Sequence, residues 1–365
     1  MDAAISKNAA WECMSDWDRR ENNFDFMRLL LAVLVIYSHG YALGMGSEGN
    51  EPFVRWTGGQ VSGGAIAVDA FFVMSGFLIA ASAERSKGVF RFLKKRFARI
   101  YPAFVVAAII TAALIVPISG GKFVYTGWIE RTADFVWATF RLVEFSYVGV
   151  FAGNPYPNVI NGSTWSIPYE FWCYIGVAVL MATGILRRRA LVLGLFVMLW
   201  VVSILFRVEG WILGGKQLGL VFGPPQIWAR MLPLYLAGVV FYLYRERIPL
   251  SSLLAVLSFA GLLVGSTFYS GWTFFFPFAG TYLIFWFAFA PSVRLQHFGR
   301  FGDFSYGTYL YAFPIEQILM RWFGHPVAPV VLFLCATPLT LAVAVASWYG
   351  VEQYFLGSAR RHQAG

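Results

Sequence analysis

The stretch Ala65–Ala83, AIAVDAFFVMSGFLIAASA, decides the fold, because it is a long apolar run with a single charge, Asp69. A helix needs about 20 mostly apolar residues to cross about 30 Å of hydrocarbon, so this run is typical of a membrane span. Over all 365 residues, 58% are hydrophobic and only 13% are charged, whereas soluble domains carry about 25% charged residues. The sequence predicts an all-α polytopic membrane protein and excludes disordered, collagen-like and disulfide-scaffold classes.

Nine further apolar runs surround this stretch and give ten predicted spans. They are Phe24–Leu43, Ala65–Ala83, Ala98–Ile118, Trp165–Thr183, Ala190–Phe206, Met231–Tyr244, Ser252–Phe268, Thr273–Ala290, Phe304–Trp322 and Ala328–Tyr349. With a cytoplasmic N-terminus, the inner segments hold 19 of the 28 Lys and Arg residues, the outer segments hold 8, and Arg28 lies inside the first span. Because cytoplasmic loops are enriched in Lys and Arg, both termini are predicted to be cytoplasmic.

The predicted organisation is a polar cytoplasmic tail over residues 1–23, a transmembrane domain over 24–350 and a cytoplasmic tail over 351–365. The longest connection is an outer loop at 119–164. Its middle, Trp128–Phe151, mixes aromatic residues with five charges. That number of charges is too many for a lipid-exposed span, and the mixture favours an interfacial or partly re-entrant element.

The net charge of +9 does not predict a nucleic-acid partner, because the basic residues cluster between apolar runs. A lipid bilayer accounts for that distribution better. The three cysteines have no pairable spacing, and no cluster of His, Asp and Glu has the spacing of zinc ligands. The sequence therefore predicts no metal site and no permanently bound cofactor.

Arg28 and His39 are ionisable residues within the first predicted span. Eleven residues separate them, so at 100° per residue they lie on one face of a helix, about 16 Å apart along its axis. Each alone could lie at a membrane interface, with Arg28 extending to the inner headgroups. Their shared face favours a functional pair.

Asp69 and Glu170 lie at a depth similar to that of His39 in the predicted topology, towards the outer face. A carboxylate beside an imidazole fixes its tautomer and raises its basicity, which suits a general base. We therefore predict His39, Asp69 and Glu170 as catalytic residues, with either carboxylate orienting His39. The alternative is a buried structural hydrogen-bond cluster.

Arg96 and Arg99 belong to the basic stretch Arg91–Arg99, which leads into the third predicted span from the cytoplasmic side. Three residues apart on a helix, they present two guanidinium groups to one point, which suits a ligand with several phosphates. The alternative is an anchor that binds anionic lipid. Ser75 and Gly76 interrupt the second span, for which close helix packing is the plain explanation, although Ser75 or a tyrosine is a candidate for binding a developing oxyanion.

In this order the chain's motifs resemble the acyltransferase-3 family, integral membrane enzymes of the O-antigen acetylase type. The stretches that carry the resemblance are Phe24–Leu29 with Tyr37–Gly40, Val68–Ile79, Arg96–Pro102, Ser163–Trp172 and Phe301–Tyr311 with Phe313-Pro314. Two positions depart from the family pattern. Ala312 stands where members often carry a histidine, and the late Glu-x-Pro pattern is reduced to Val351-Glu352-Gln353.

The resemblance implies an O-acyltransferase of the cell (inner) membrane that uses cytoplasmic acyl-CoA, expected to be acetyl-CoA, as its donor. The acceptor it implies is a hydroxyl of an extracytoplasmic glycan or related molecule. The family's essential histidine falls on His39, and its arginines fall on Arg28, Arg96 and Arg99, to which we add Ser75 as a donor-binding candidate. The rival functions are a multi-span transporter of a glycan or anionic solute and a non-catalytic scaffold. A direct transfer and a covalent acyl-histidine relay both remain open.

Overall fold

Helices form nearly all the regular structure of this computed structural model, which describes residues 22–208, 223–290, 293, 295 and 297–356. The helices are α1 Phe24–Met45, α2 Pro52–Trp56, α3 Gly63–Glu84, α4 Val89–Ile110, α5 Val116–Ser119, α6 Trp128–Phe140, α7 Ile167–Ala182, α8 Arg189–Val208, α9 Pro225–Leu243, α10 Ser252–Gly265, α11 Gly271–Phe275, α12 Thr281–Phe289, α13 Ser305–Phe323 and α14 Pro329–Ser347. Three π-helical turns extend or join them, at Thr111–Ile115, Phe276–Gly280 and Trp348–Glu352. Most of both predicted tails lies outside the described residues.

Seven helices among the described residues are long and apolar enough to cross a membrane. They are Phe24–Met45, Gly63–Glu84, Val89–Ser119, Arg189–Arg207, Pro225–Leu243, Gly271–Phe289 and Pro329–Leu356. The other three predicted spans are also helical, but α7 and α10 have only 16 and 14 residues and α13 carries Glu316, Gln317 and Arg321. The prediction of an all-α polytopic membrane protein is confirmed.

The helix that carries the opening stretch, α3, packs closely against α9. A Cβ atom built on Gly76 would lie 1.9 Å from the carbonyl oxygen of Tyr235, and one built on Gly238 would lie 2.0 Å from that of Val73. Glycine at both positions lets the two backbones touch, as small residues do at membrane helix crossings. The close packing expected at Ser75-Gly76 is confirmed for Gly76.

Helices α1, α13 and α14 form a second packed unit beside α3. A Cβ atom on Gly40 would lie 2.9 Å from the carbonyl oxygen of Pro329, and one on Gly44 would lie 2.6 Å from that of Val327. The C-terminal half of α1 therefore lies directly against the beginning of α14. This contact fixes the position of His39, which directly precedes Gly40.

Helix α4 begins at Val89 rather than at Ala98, where the sequence placed the third span. Gly88, with a φ of 126°, precedes the helix, and the basic residues that follow continue it without a break. Arg96 and Arg99 therefore lie inside the helix rather than ahead of it. The prediction from sequence followed the run of apolar residues and so left these charged turns out of the span, although lysine and arginine are good helix formers.

The outer loop contains two elements. The strands Lys122–Phe123 and Tyr147–Val148 pair antiparallel, which the sequence did not predict because strands of two residues carry no detectable pattern. Between them, α6 exposes an apolar stripe that includes Ile129, Val136 and Phe140. An amphipathic helix of this kind is typical of a membrane interface.

Candidate active site

His39 lies beside the carboxylate of Glu316, which extends from α13. Nδ1 of His39 is 3.6 Å from Oε2 of Glu316. The Glu316 side chain is completely buried, whereas the His39 side chain is 18% exposed. The carboxylate is thus behind the imidazole, and the imidazole borders accessible space.

The polar atoms of this pair are left unsatisfied. Among the described residues, nothing forms a hydrogen bond with either carboxylate oxygen of Glu316 or with Nδ1 of His39. Such a buried group costs about 1–3 kcal/mol, and each one in a native structure calls for an explanation. Catalytic hydrogen bonds are often long before substrate binds. A proton on Nδ1 directed at Glu316 would leave Nε2 as the basic atom, the arrangement of a carboxylate-oriented general base.

A proline in α13 connects this pair to the outer loop. Pro314 has no backbone N–H, so the carbonyl of Leu310, one turn earlier, loses its helical donor. Nδ2 of Asn161 donates to that carbonyl instead, at 2.8 Å. Asn161 begins a glycosylation-like triplet, but its buried amide serves the fold of the loop.

Arg28 and Arg99 converge on one carboxylate oxygen at the other end of α13. Each guanidinium donates to Oδ2 of Asp303 at 2.6 Å, and Nη1 of Arg99 is 3.9 Å from Oε2 of Glu352. Burial alone would raise the pKa of Asp303, but Arg28 and Arg99 hold this pKa well below its usual range. The other oxygen, Oδ1, accepts from the backbone N–H and hydroxyl of Ser305 at the start of α13.

The shared face of α1 is confirmed by these contacts, because Arg28 and His39 both reach the segment that runs from Asp303 to Glu316. Along that segment Tyr306, Tyr309, Phe313 and Glu316 recur at helical spacing. The Tyr306 ring lies 5.7 Å from the Arg99 guanidinium, and the Phe313 ring meets the His39 ring edge-on at 5.1 Å. One side of α13 therefore joins the arginine cluster to the histidine.

Arg96 has surroundings different from those of Arg99. Its guanidinium lies about 6 Å from the rings of Phe92 and Tyr174, and Nη2 donates to the Ser82 hydroxyl at 3.4 Å. In the described part of the chain, Arg96 forms no ion pair, and its buried Nε has no hydrogen-bond partner. The two arginines do not meet at one carboxylate.

Asp69 is paired elsewhere. Its Oδ1 accepts from Nε of Arg230 at 2.9 Å, and its Oδ2 accepts from the Trp272 indole at 3.4 Å. A cavity of about 30 Å³ adjoins this pair, which is enough for ordered water and too small for a substrate. The structure thus places Asp69 in a satisfied ion pair and not beside His39.

Glu170 also has its own partners. Its Oε1 accepts from the hydroxyl of Ser75 at 3.0 Å and from that of Tyr174 at 2.5 Å. The structure therefore does not support the prediction that Asp69 or Glu170 orients His39, because both have other partners and Glu316 is the carboxylate beside His39. Because the Ser75 hydroxyl proton is committed to Glu170, this geometry gives Ser75 no role at an oxyanion.

Sequence reasoning missed Glu316, Asp303 and Arg230. The rule applied to the early spans, that an ionisable residue deep in an apolar run marks a functional site, would have found Glu316 in Phe313-Pro314-Ile315-Glu316. Glu352 was treated only as part of a weakened motif, yet it is buried against Arg99. Within the described ranges, no three His, Cys, Asp or Glu residues could hold a metal ion.

Comparisons with known proteins identify relatives of the chain. A family model described as an acyltransferase domain matches residues 21–349. An O-acetyl transferase of Shigella phage Sf6 is 31% identical over 92% of this chain and 96% of its own length. Nodulation protein 10 of Rhizobium leguminosarum bv. viciae is 32% identical over 46% of each chain, and the acyltransferase MdmB of Streptomyces mycarofaciens is 33% identical over 31% of this chain and 27% of its own.

No solved structure matches the chain significantly. The family match spans all the helices from α1 to α14. It includes the His39–Glu316 pair and the Asp303 cluster, which consists of Asp303, Arg28 and Arg99. The chain therefore belongs to the acyltransferase-3 family and is a multi-pass membrane O-acyltransferase.

Proposed function

We propose that this O-acyltransferase moves an acyl group, expected to be acetyl, from cytoplasmic acyl-CoA to a hydroxyl of an extracytoplasmic glycan or related acceptor. The observation that carries the proposal is the His39–Glu316 pair, whose polar atoms are buried without hydrogen-bond partners among the described residues. A transporter or scaffold gives no reason to maintain that costly arrangement.

The proposed setting is the inner cell membrane, crossed ten times with both termini in the cytoplasm. In that orientation Arg28 and Arg99 lie towards the cytoplasmic side, and His39 lies towards the outer side. The stripe from Tyr306 to Glu316 on α13 runs between them. A long, thin donor arm beside this stripe would bring a thioester to the imidazole.

In the proposed reaction, Nε2 of His39 takes the proton of the acceptor hydroxyl as its oxygen attacks the thioester carbonyl carbon. The new C–O bond forms, the C–S bond breaks, and the leaving CoA thiolate takes the proton from the imidazolium. Glu316 stabilises that imidazolium and holds the ring. General-base catalysis of this kind contributes about 10²–10⁴-fold.

At the donor end, Arg96 is the arginine we assign to a donor phosphate, because it forms no ion pair within the described chain. Arg28 and Arg99 are already bound to Asp303. They hold α1, α4 and the start of α13 together and add positive charge beside the donor. This division differs from the expectation that Arg96 and Arg99 bind the donor phosphates together.

The test uses purified protein in lipid nanodiscs with radiolabelled acetyl-CoA. We expect the wild type to release CoA and to pass label to a hydroxyl acceptor, and His39→Ala to lose turnover while keeping its melting temperature. Arg96→Ala should raise the KM for acetyl-CoA, whereas Arg247→Ala, a variant at another arginine near the cytoplasmic side, should not. Turnover retained by His39→Ala would remove His39 from the chemistry.

A further inference from the structure

The outer-loop segment Asn154–Ser163 is attached to α13 by side-chain amides at several points. Nε2 of Gln317 donates to the carbonyl oxygens of Tyr156 and Val159, each at 2.8 Å, and Nδ2 of Asn154 donates to Oε1 of Gln317 at 2.7 Å. Gln317 is completely buried and directly follows Glu316 in sequence. The residue that holds the loop is thus adjacent to the one that holds the imidazole.

Further along the segment, contacts bring the loop onto Phe313. A Cβ atom built on Gly162 would lie 2.5 Å from the Phe313 ring, so only glycine permits this approach. Asn158 adopts a left-handed φ of 63° and donates its N–H to the carbonyl of Val150. A non-glycine residue persists in that conformation only where its surroundings enforce it. The segment therefore has one fixed backbone course beside the His39 site.

Tyr156 presents its ring at the exposed end of a row of three rings. It is 40% exposed, and its ring meets Phe313 edge-on at 6.2 Å, while Phe313 meets His39 edge-on at 5.1 Å. The row leads from the outer surface to the imidazole.

A tyrosine with a fixed backbone and an exposed ring suits ligand binding. It offers a broad apolar face with a polar tip, and little entropy is lost because the loop is already ordered. Tyr125 is a useful contrast, because it is 41% exposed in the same outer loop, yet within the described residues its ring has no contact with Phe313 or His39. Exposure alone thus does not distinguish Tyr156, and its place in the ring row does.

We propose that Tyr156 is the acceptor-binding platform of this enzyme and that it selects acceptors containing a sugar ring. The C–H face of a pyranose lies on the Tyr156 ring, and one of its hydroxyls reaches Nε2 of His39. The proposal rests on the proposed function and adds the feature that chooses the acceptor. A linear polyol has comparable hydroxyls without a flat ring face, so it is the matched poor acceptor.

The experiment measures acetyl transfer by protein in nanodiscs from radiolabelled acetyl-CoA to methyl pyranosides, with glucitol as the linear comparison. We expect pyranosides to be used in preference to glucitol. Tyr156→Ala should raise the pyranoside KM about tenfold, the effect of losing contact with part of one aromatic ring. Tyr156→Trp and Tyr156→Phe should retain the wild-type KM, and Tyr125→Ala should have no effect.

Two further readouts separate this proposal from the proposed function and from a structural role. The KM for acetyl-CoA should be unchanged in Tyr156→Ala, and so should the rate at which the enzyme hydrolyses acetyl-CoA when no acceptor is present. Neither quantity involves the acceptor. An unchanged pyranoside KM in Tyr156→Ala, or equal use of glucitol, would overturn the platform and leave acyl transfer standing. A wild type that cannot consume acetyl-CoA would overturn the proposed function, and the platform with it.

Discussion

Two carboxylates on the segment of α13 are in opposite states. Asp303, two residues before the helix begins, is shared by two guanidinium groups and by Ser305, so its oxygens are satisfied. Glu316, in the second half of the helix, is completely buried and has only His39 beside it, with no hydrogen bond to either oxygen from the described residues. A satisfied buried ion cluster is explained by holding helices together, whereas an unsatisfied carboxylate maintained at a cost indicates chemistry.

The largest expected effect is the loss of acyl transfer when His39 is replaced. His39→Gln removes the base and leaves a side chain of similar length, so acyl transfer should fall about 10²–10⁴-fold. Thermal stability should stay close to that of the wild type, because the replaced ring is partly exposed and has no hydrogen bond at Nδ1. Initial rates of CoA release and a melting curve on the same preparation check both parts. A large loss of stability would assign His39 to the fold.

Replacing Asp303 should lower the stability of the protein. Asp303→Asn leaves Arg28 and Arg99 without their shared counter-charge. Because these side chains are only partly exposed, the cost should lie between about 1 kcal/mol for a surface pair and about 3–5 kcal/mol for a buried one. The melting temperature in detergent should fall sharply. The exposed pair Arg189–Glu246, at 3.8 Å, supplies the control, because Arg189→Ala should cost less than about 1 kcal/mol. Equal small losses in both variants would mean that the Asp303 cluster is not structural.

Replacing Glu316 should raise the stability of the protein, whereas replacing Asp303 should lower it. Glu316→Leu removes a buried carboxylate that has no hydrogen bond, so we expect a gain of stability of about 1–3 kcal/mol together with a loss of activity. Melting temperature and acyl transfer should therefore change in opposite directions. A variant that is less stable than the wild type would show that Glu316 is a structural residue, as Asp303 is.

The smallest expected effect is a pH dependence in the outer loop. Burial raises the pKa of Glu144 to about 7, although the Tyr147 hydroxyl donates to it. A carboxyl with a raised native pKa stabilises the fold at pH values below its ordinary value near 4.5, and that contribution is lost as pH rises through about 7. The protection factors of the amides across 144–161, which are exchange rates corrected for base-catalysed intrinsic exchange, should fall between pH 5 and pH 8 in the wild type. Glu144→Gln should remove this fall, and an identical fall in the variant would exclude Glu144 as its source.

The sequence was sufficient to predict the helices, but not the neighbours of each ionisable residue. Apolar run length locates a residue along the membrane normal, and so it placed His39, Asp69 and Glu170 at similar depth. The length of an apolar run does not say which other helices a given helix contacts in the bundle. Asp69 meets Arg230, which is 161 residues away, and no local spacing encodes such a contact. Glu316 is different, since its burial in an apolar run was visible from the sequence.

The relation of Arg28 to His39 shows what a local pattern does encode. Their separation on one helix fixed a shared face, and the structure places both against the segment that begins at Asp303 and contains Glu316. Arg96 and Arg99 share a helix as well, yet they have different partners because α3 and α7 border Arg96 while α13 borders Arg99. Spacing predicts a face, and the neighbouring helices decide its chemistry.

The most direct test of the account is a double-mutant cycle on acyl transfer with His39→Gln, Glu316→Gln and the double variant. If Glu316 acts only through the imidazole, then Glu316→Gln lowers kcat in the wild-type background and has no further effect in the His39→Gln background. The account predicts that the double variant is as active as His39→Gln alone. Losses that multiply, or a His39→Gln enzyme with wild-type kcat, would contradict it.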